Sequence, residues 1–116
     1  MRPDVSDESY LWDMLDAALA IQEFIAGKNF RDYTSDRLLR GAVERHIEIM
    51  GEAAKNLSKE FREKHTEVQW SKIISQRNVL AHEYGEIKHE RIWAVATIHV
   101  IELIGKLKPL IPQIPE

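Results

Sequence analysis

SDRLLRGAVERHIEIMGEAAKNLSKEFREK, running from Ser35 to Lys64, is the stretch on which the fold turns. Within it Leu39, Val43, Ile47, Met50, Ala54, Leu57 and Phe61 recur at steps of three and four residues. That is the period of one face of an α-helix, whereas a strand would alternate. The seam is close to a seven-residue repeat, which suits helices crossing at a shallow angle in a bundle. Gly41 and Gly51 interrupt the pattern, each at about 1 kcal/mol relative to alanine. Glycine inside a helix often marks a close approach of two backbones, so this helix is expected to pack tightly on a neighbour.

Three further helical segments flank it. The first spans about Ser6 to Ala26, with Leu11, Met14, Leu15, Ala18, Ile21 and Ile25 on one face. Ser6 is its expected N-cap, and Gly27 stands where helices commonly end. Lys28 to Thr34 then reads as a connector. The third helix begins near Val68 to Ser71, carries Trp70, Ile73 and Ile74, and should end at Gly85. The fourth, about His89 to Leu107, places Ile92, Ala96, His99, Leu103 and Leu107 on one stripe. Pro109, Pro112 and Pro115 stop helix propagation beyond it and leave a short Pro-rich tail. Short connections make neighbouring helices antiparallel. The expected architecture is an all-α, up-and-down antiparallel four-helix bundle.

Composition agrees with a globular chain. The 116 residues are read as one domain, 1–116, with 44% hydrophobic and 30% charged residues. No apolar run approaches the roughly 20 residues of a membrane span, so no membrane role is expected. Met1-Arg2-Pro3-Asp4 leads into acids rather than an apolar signal, and there are no cysteines for disulfides or thiolate metal sites. A cytoplasmic location is the expectation. The net charge of −3 argues against an indiscriminate nucleic-acid binder. Its distribution is uneven. Residues 1 to 27 hold six acids against Arg2, which leaves 13 acids and 15 bases for the remainder. A local positive cleft is compatible with that balance.

Chemistry concentrates in Arg77-Asn78-Val79-Leu80-Ala81-His82-Glu83-Tyr84. A core-filling pattern does not need four polar, donor-rich side chains there. Arginine grips phosphate oxygens with two prongs and stays charged. Histidine, with an unperturbed pKa of roughly 6.5, suits proton transfer near neutrality. On a helical wheel of about 100° per residue with Arg77 at zero, Tyr84 falls near ~−20°, Asn78 near ~100° and His82 near ~140°. Asn78 and His82 are therefore within reach across one turn. Val79 and Leu80 take the other half of the circumference, so one face packs while the other presents a polar site.

With its Asn, its Tyr and the upstream blocks, this Arg-x-x-x-x-His-x-Tyr pattern resembles the signature of the HEPN superfamily. More narrowly, it resembles the HepT toxins that are paired with a minimal nucleotidyltransferase antitoxin. Ala42-Val43-Glu44-Arg45, Ile49-Met50-Gly51-Glu52-Ala53, Trp70, Ile92-Trp93 and Lys108-Pro109-Leu110 look like landmarks of that family in the family's order, so the match covers roughly the whole chain. The resemblance implies the toxin of a type VII-like toxin–antitoxin system. Such a toxin is a metal-independent endoribonuclease that cuts tRNA or mRNA without a cofactor. The motif helices of two subunits would face each other in a homodimer, joining two copies of the motif in one cleft. Arg77 and His82 would be catalytic and Asn78 supporting. Tyr84 would accept AMP from the partner nucleotidyltransferase.

Each residue also has a plainer reading. Arg77 would form a salt bridge to Glu83 or to an acid of the first helix. His82 would cap helix-end carbonyls. Asn78 would be a surface polar residue, and Tyr84 an amphipathic residue at the bundle rim. Glu83 would repel phosphate unless it points away or is paired. His46 and His99 read as satisfied interior or interface residues, and His65 and His89 as exposed. Trp12, Trp70 and Trp93 read as core or interface anchors. Arg40 and Arg45 are candidates to line the cleft, or are ordinary surface arginines like Arg37. Gly51-Glu52-Ala53 reads as packing. No His-x-x-x-His or HExxH spacing suggests a metal site. The rival function is a non-catalytic helical partner of a minimal nucleotidyltransferase, with the acidic first helix as a docking surface.

Overall fold

The computed structural model describes residues 5–82 and 88–111, and the side chains of 7–78 and 88–111. Its architecture is all-α, with no strand among the described residues. Helix α1 (Val5–Ile25) ends at Gly27, whose φ of 74° is the left-handed conformation that glycine adopts without strain. Ser6 lies inside α1 and not at its cap. The expected connector contains a helix of its own, α2 (Phe30–Ser35). It is nucleated by reciprocal bonds: the Asp32 amide donates to Asn29 Oδ1 at 2.8 Å, and the Asn29 amide to Asp32 Oδ2 at 2.9 Å. Asp36 then caps α3 (Arg37–Asn56), accepting from the Leu39 amide at 3.1 Å.

The long second helix expected from Ser35 to Lys64 is not continuous. Leu57 leaves the helix with φ −62° and ψ 145°. Ser58 caps a new short helix, α4 (Lys59–Lys64), its Oγ accepting from the Phe61 amide. The cause lies at the far end of the sequence. Asp7, only 4% exposed, accepts 2.8 Å hydrogen bonds from both the amide and the hydroxyl of Ser58. A buried carboxylate needs such donors, and the helix break supplies them. The same contact joins the start of α1 to the end of α3, so these helices run antiparallel.

Helix α5 (Trp70–His82) follows, with the Trp70 indole donating to the His65 carbonyl at 2.8 Å. The last segment runs through α6 (His89–Ala94), a π-helical turn (Val95–His99) and α7 (Val100–Leu107) without interruption, then closes in a 3₁₀ turn at Lys108–Leu110. The expected extent His89–Leu107 is present. The wide π turn shifts its register, so the buried stripe passes from Ile92 and Ala96 to Val100, Leu103 and Leu107, and His99 is left exposed.

The core bears out six of the seam's seven residues, Phe61 being half-buried on α4. Leu39, Val43, Ile47, Met50, Ala54 and Leu57 are all buried, against Leu11, Met14, Ala18 and Ile21 of α1 and the stripe of α6 and α7. Among the described residues, no helix is long and apolar enough to cross a membrane.

Candidate active site on α5

What positions the motif helix is an absence of side chain. A Cβ built on Gly51 would lie 2.1 Å from Arg77 Cβ and 3.0 Å from the Ile73 carbonyl oxygen. Helix α5 therefore rests directly on the α3 backbone at Gly51. Gly41, by contrast, has nothing within 4 Å of such an atom. The expectation of close helix approach holds at Gly51 and fails at Gly41.

That seating brings Arg77 alongside the residue after Gly51. Arg77 Nη2 lies 3.0 Å from Glu52 Oε2, and Nη1 donates to Asn78 Oδ1 at 3.1 Å. The arginine side chain is about three-quarters buried, with 26% of its surface exposed. Among the described residues, two of its five N–H donors are engaged. Among the described residues its acidic partner is Glu52 of α3 and not an acid of α1, while Glu83 lies outside them. Glu52, read from sequence as packing, is the residue that sequence reasoning missed. The available signal was its neighbour: a glycine at the helix contact puts the next side chain beside whatever crosses there.

Asn78 is exposed and turned to Arg77 through its carbonyl oxygen. His82 is the last described residue of α5, about 6 Å further along the axis than Asn78 at 1.5 Å per residue. The His82 side chain, and Glu83, Tyr84 and Gly85, lie outside the described residues, as do Pro112 and Pro115.

The remaining candidates do not join this cluster. Arg40 donates to the Thr34 carbonyl, while Arg37 and Arg45 are exposed. His46 is satisfied as expected, with Nδ1 2.8 Å from the Ala42 carbonyl and its ring edge-on to Phe24. His65 and His89, expected to be exposed, are partly buried: His65 lies on the Phe61 ring and His89 edge-on to Tyr33. Trp70 is buried and Trp93 packs on Tyr33, but Trp12 is 39% exposed. A separate polar cluster joins α2, α3 and α6. Burial pushes the Glu44 carboxyl above its ordinary value, with His89 and Arg40 opposing the shift and Glu48 adding to it. Burial, and then Glu44, raise the Tyr33 hydroxyl as well. That hydroxyl has no hydrogen-bond partner among the described residues. Among the described residues, no three His, Cys, Asp or Glu side chains gather where they could hold a metal ion.

Comparison with known proteins gives this arrangement a family. A model described as "Ribonuclease HepT-like" matches residues 14–110. The chain is 38% identical over 104 residues to a protein of Caldanaerobacter subterraneus subsp. tengcongensis named as a candidate RNase, covering 90% of this chain and 93% of that one. It is 32% identical over 101 residues to a candidate RNase of Methanocaldococcus jannaschii, covering 87% and 89%. Identity is also 32% over 105 residues with a candidate ribonuclease HepT of Thermococcus cleftensis, covering 90% and 96%. No solved structure matches the chain. The family match spans residues 14–110, which include Arg77 and most of the bundle that seats it, and the chain belongs to the HepT-like ribonuclease family.

Proposed function

We propose that this protein is a metal-independent endoribonuclease and the toxin of a toxin–antitoxin pair. The observation that carries the reading is the Arg77 guanidinium, held by Glu52 and Asn78 on the helix that also carries His82, in a chain of this family. Two such helices facing each other in a homodimer would join two arginines and two histidines. One His82 takes the proton of an RNA 2′-hydroxyl as that oxygen attacks the adjacent phosphorus. The His82 of the second copy gives a proton to the departing 5′-oxygen. The products are a 2′,3′-cyclic phosphate and a 5′-hydroxyl. The arginines stabilise the charge that builds on the phosphorane oxygens. Glu52 and Asn78 act on the guanidinium, holding it in one orientation before substrate arrives.

Tyr84 is the control point in this reading. Its phenol oxygen attacks the α-phosphorus of ATP on a partner nucleotidyltransferase and releases pyrophosphate. The added AMP brings bulk and negative charge to the place where RNA phosphate must sit. The experiment is induced expression in a bacterial host. Wild type should arrest growth, and Arg77→Ala and His82→Ala should each restore it at equal protein level. Co-expression with a minimal nucleotidyltransferase should relieve arrest and add AMP mass to the peptide bearing Tyr84. Arrest that persists in both variants would remove this mechanism.

A further inference from the structure

One groove lies beside the motif helix and is not explained by Arg77 chemistry. It is an open cavity of about 440 Å³ between α3, α5 and the α6–α7 segment. That size falls within the roughly 300–1,000 Å³ of small-ligand pockets. Its floor is apolar, made by Ile47, Met50, Ile73, Val95 and Leu103. Its lip carries three cations, Lys72, Arg91 and Lys106, all exposed and none in an ion pair among the described residues. The acid on the lip, Glu102, is 3.3 Å from His99 Nδ1. A positive lip is not what a chain of net charge −3 produces on average. Gln76 also lines the groove, and its Oε1 is buried without a partner among the described residues. The π turn contributes Val95 and His99, and such turns are frequent at functional sites.

We infer that this groove binds the single-stranded RNA segment flanking the bond to be cut, an inference that rests on the ribonuclease reading above. The fit is chemical and positional. Lysine and arginine on the lip suit phosphates, the aliphatic floor suits a base face, and the free amide oxygen suits a base-edge or ribose donor. Gln76 precedes Arg77 on α5, about 100° round the helix, so the groove and the arginine occupy adjacent faces of the same helix. Lys72 stands five residues upstream, about 7.5 Å along the helix axis. An acidic peptide would use the cations but leave the apolar floor idle.

The test is binding of a fluorescein-labelled 2′-O-methyl RNA 12-mer, which cannot be cleaved, measured by anisotropy from 50 to 300 mM salt. Wild type is set beside Lys72→Gln/Arg91→Gln/Lys106→Gln. A second triple, Lys28→Gln/Lys59→Gln/Lys64→Gln, removes the same charge from exposed sites outside the groove. Each single-strand phosphate contact adds about 0.7 to the slope of log K against log salt, so the groove triple should lose about 2 from that slope and at least about tenfold in affinity near 0.1 M salt. The outside triple should keep the wild-type slope. Equal losses in both triples, an unchanged slope in the groove triple, or no RNA binding by wild type would each overturn the inference. So would a groove triple that changes elution volume while binding RNA normally, because the groove would then be a protein interface. Groove-dependent binding by a wild type that never cuts RNA would retain the groove and remove the ribonuclease reading. Cutting with groove-independent binding would do the reverse.

Discussion

Replacing Gly51 with alanine should destabilise the protein and weaken its activity, while the same change at Gly41 should stabilise it. Both glycines lie in α3, and alanine there gains up to about 1 kcal/mol of helix propensity. At Gly41 nothing opposes that gain, because the new Cβ meets no atom within 4 Å. At Gly51 the new Cβ would lie 2.1 Å from Arg77 Cβ, and real contacts are not found below 3.0 Å. Helix α5 must then retreat by about 1 Å, the shortfall between those distances. The obstacle is the root of a side chain and a backbone carbonyl, neither of which can swing aside. Overpacking of this kind costs about 1–3 kcal/mol, so the net effect is destabilising by about 1 kcal/mol. For a domain of this size the melting temperature should fall by roughly 4 °C in Gly51→Ala and rise by up to roughly 4 °C in Gly41→Ala. A 1 Å displacement of Arg77 should lower RNA cleavage by up to about 10²-fold in Gly51→Ala. Differential scanning fluorimetry and a cleavage assay on the two purified variants decide it. If Gly51→Ala melts higher than wild type, α5 is not seated on that glycine and the account of how Arg77 is positioned is wrong.

Two further outcomes follow from the polar contacts. Asp7→Ala removes the acceptor of two hydrogen bonds from Ser58, at about 2 kcal/mol, so thermal melting should occur roughly 8 °C lower. A melt unchanged within error would show that the helix break at Leu57 does not depend on Asp7. For Glu44 the sign comes from linkage. Its folded-state pKa is raised above 4.5, so the carboxyl holds its proton more tightly folded than unfolded. Its contribution is fully present below about pH 4.5 and is lost as pH rises through the raised value. Glu44→Gln should therefore raise the melting temperature at pH 7 and have less effect at pH 4. A benefit that is equal at both pH values contradicts a Glu44 carboxyl whose proton is held more tightly in the folded state.

The periodic parts of the fold were readable because burial leaves a direct trace in sequence. Leu39 through Leu57, Leu11 through Ile21, and Ile92 with Ala96 and Leu107 are apolar at helical spacing and are buried. The misread features depend on partners distant in the chain or on local geometry that periodicity does not encode. Ser58 looks like any polar residue on a helix until Asp7, 51 positions away, is seen to hold it. The capping pair Asn29 and Asp32 was legible in principle, but a short helix of six residues carries no apolar rhythm. The π turn at Val95–His99 leaves the composition of its helix unchanged, so the helical rhythm alone still puts His99 on the buried stripe. At the candidate site, the motif singles out Arg77, but no spacing singles out its partner Glu52. Nothing in the spacing says which acid on another helix will meet a given arginine, and only the contact at Gly51 fixes it.

The ribonuclease mechanism is tested most directly by cleavage of total cellular RNA by the purified protein in EDTA, with wild type beside Arg77→Ala and His82→Ala. Wild type should cut, leaving 2′,3′-cyclic phosphate ends, and each variant should lose at least about 10²-fold in rate while remaining folded. Cutting by either variant at the wild-type rate, or no cutting by a wild type shown by mass spectrometry to carry no AMP on Tyr84, would contradict it.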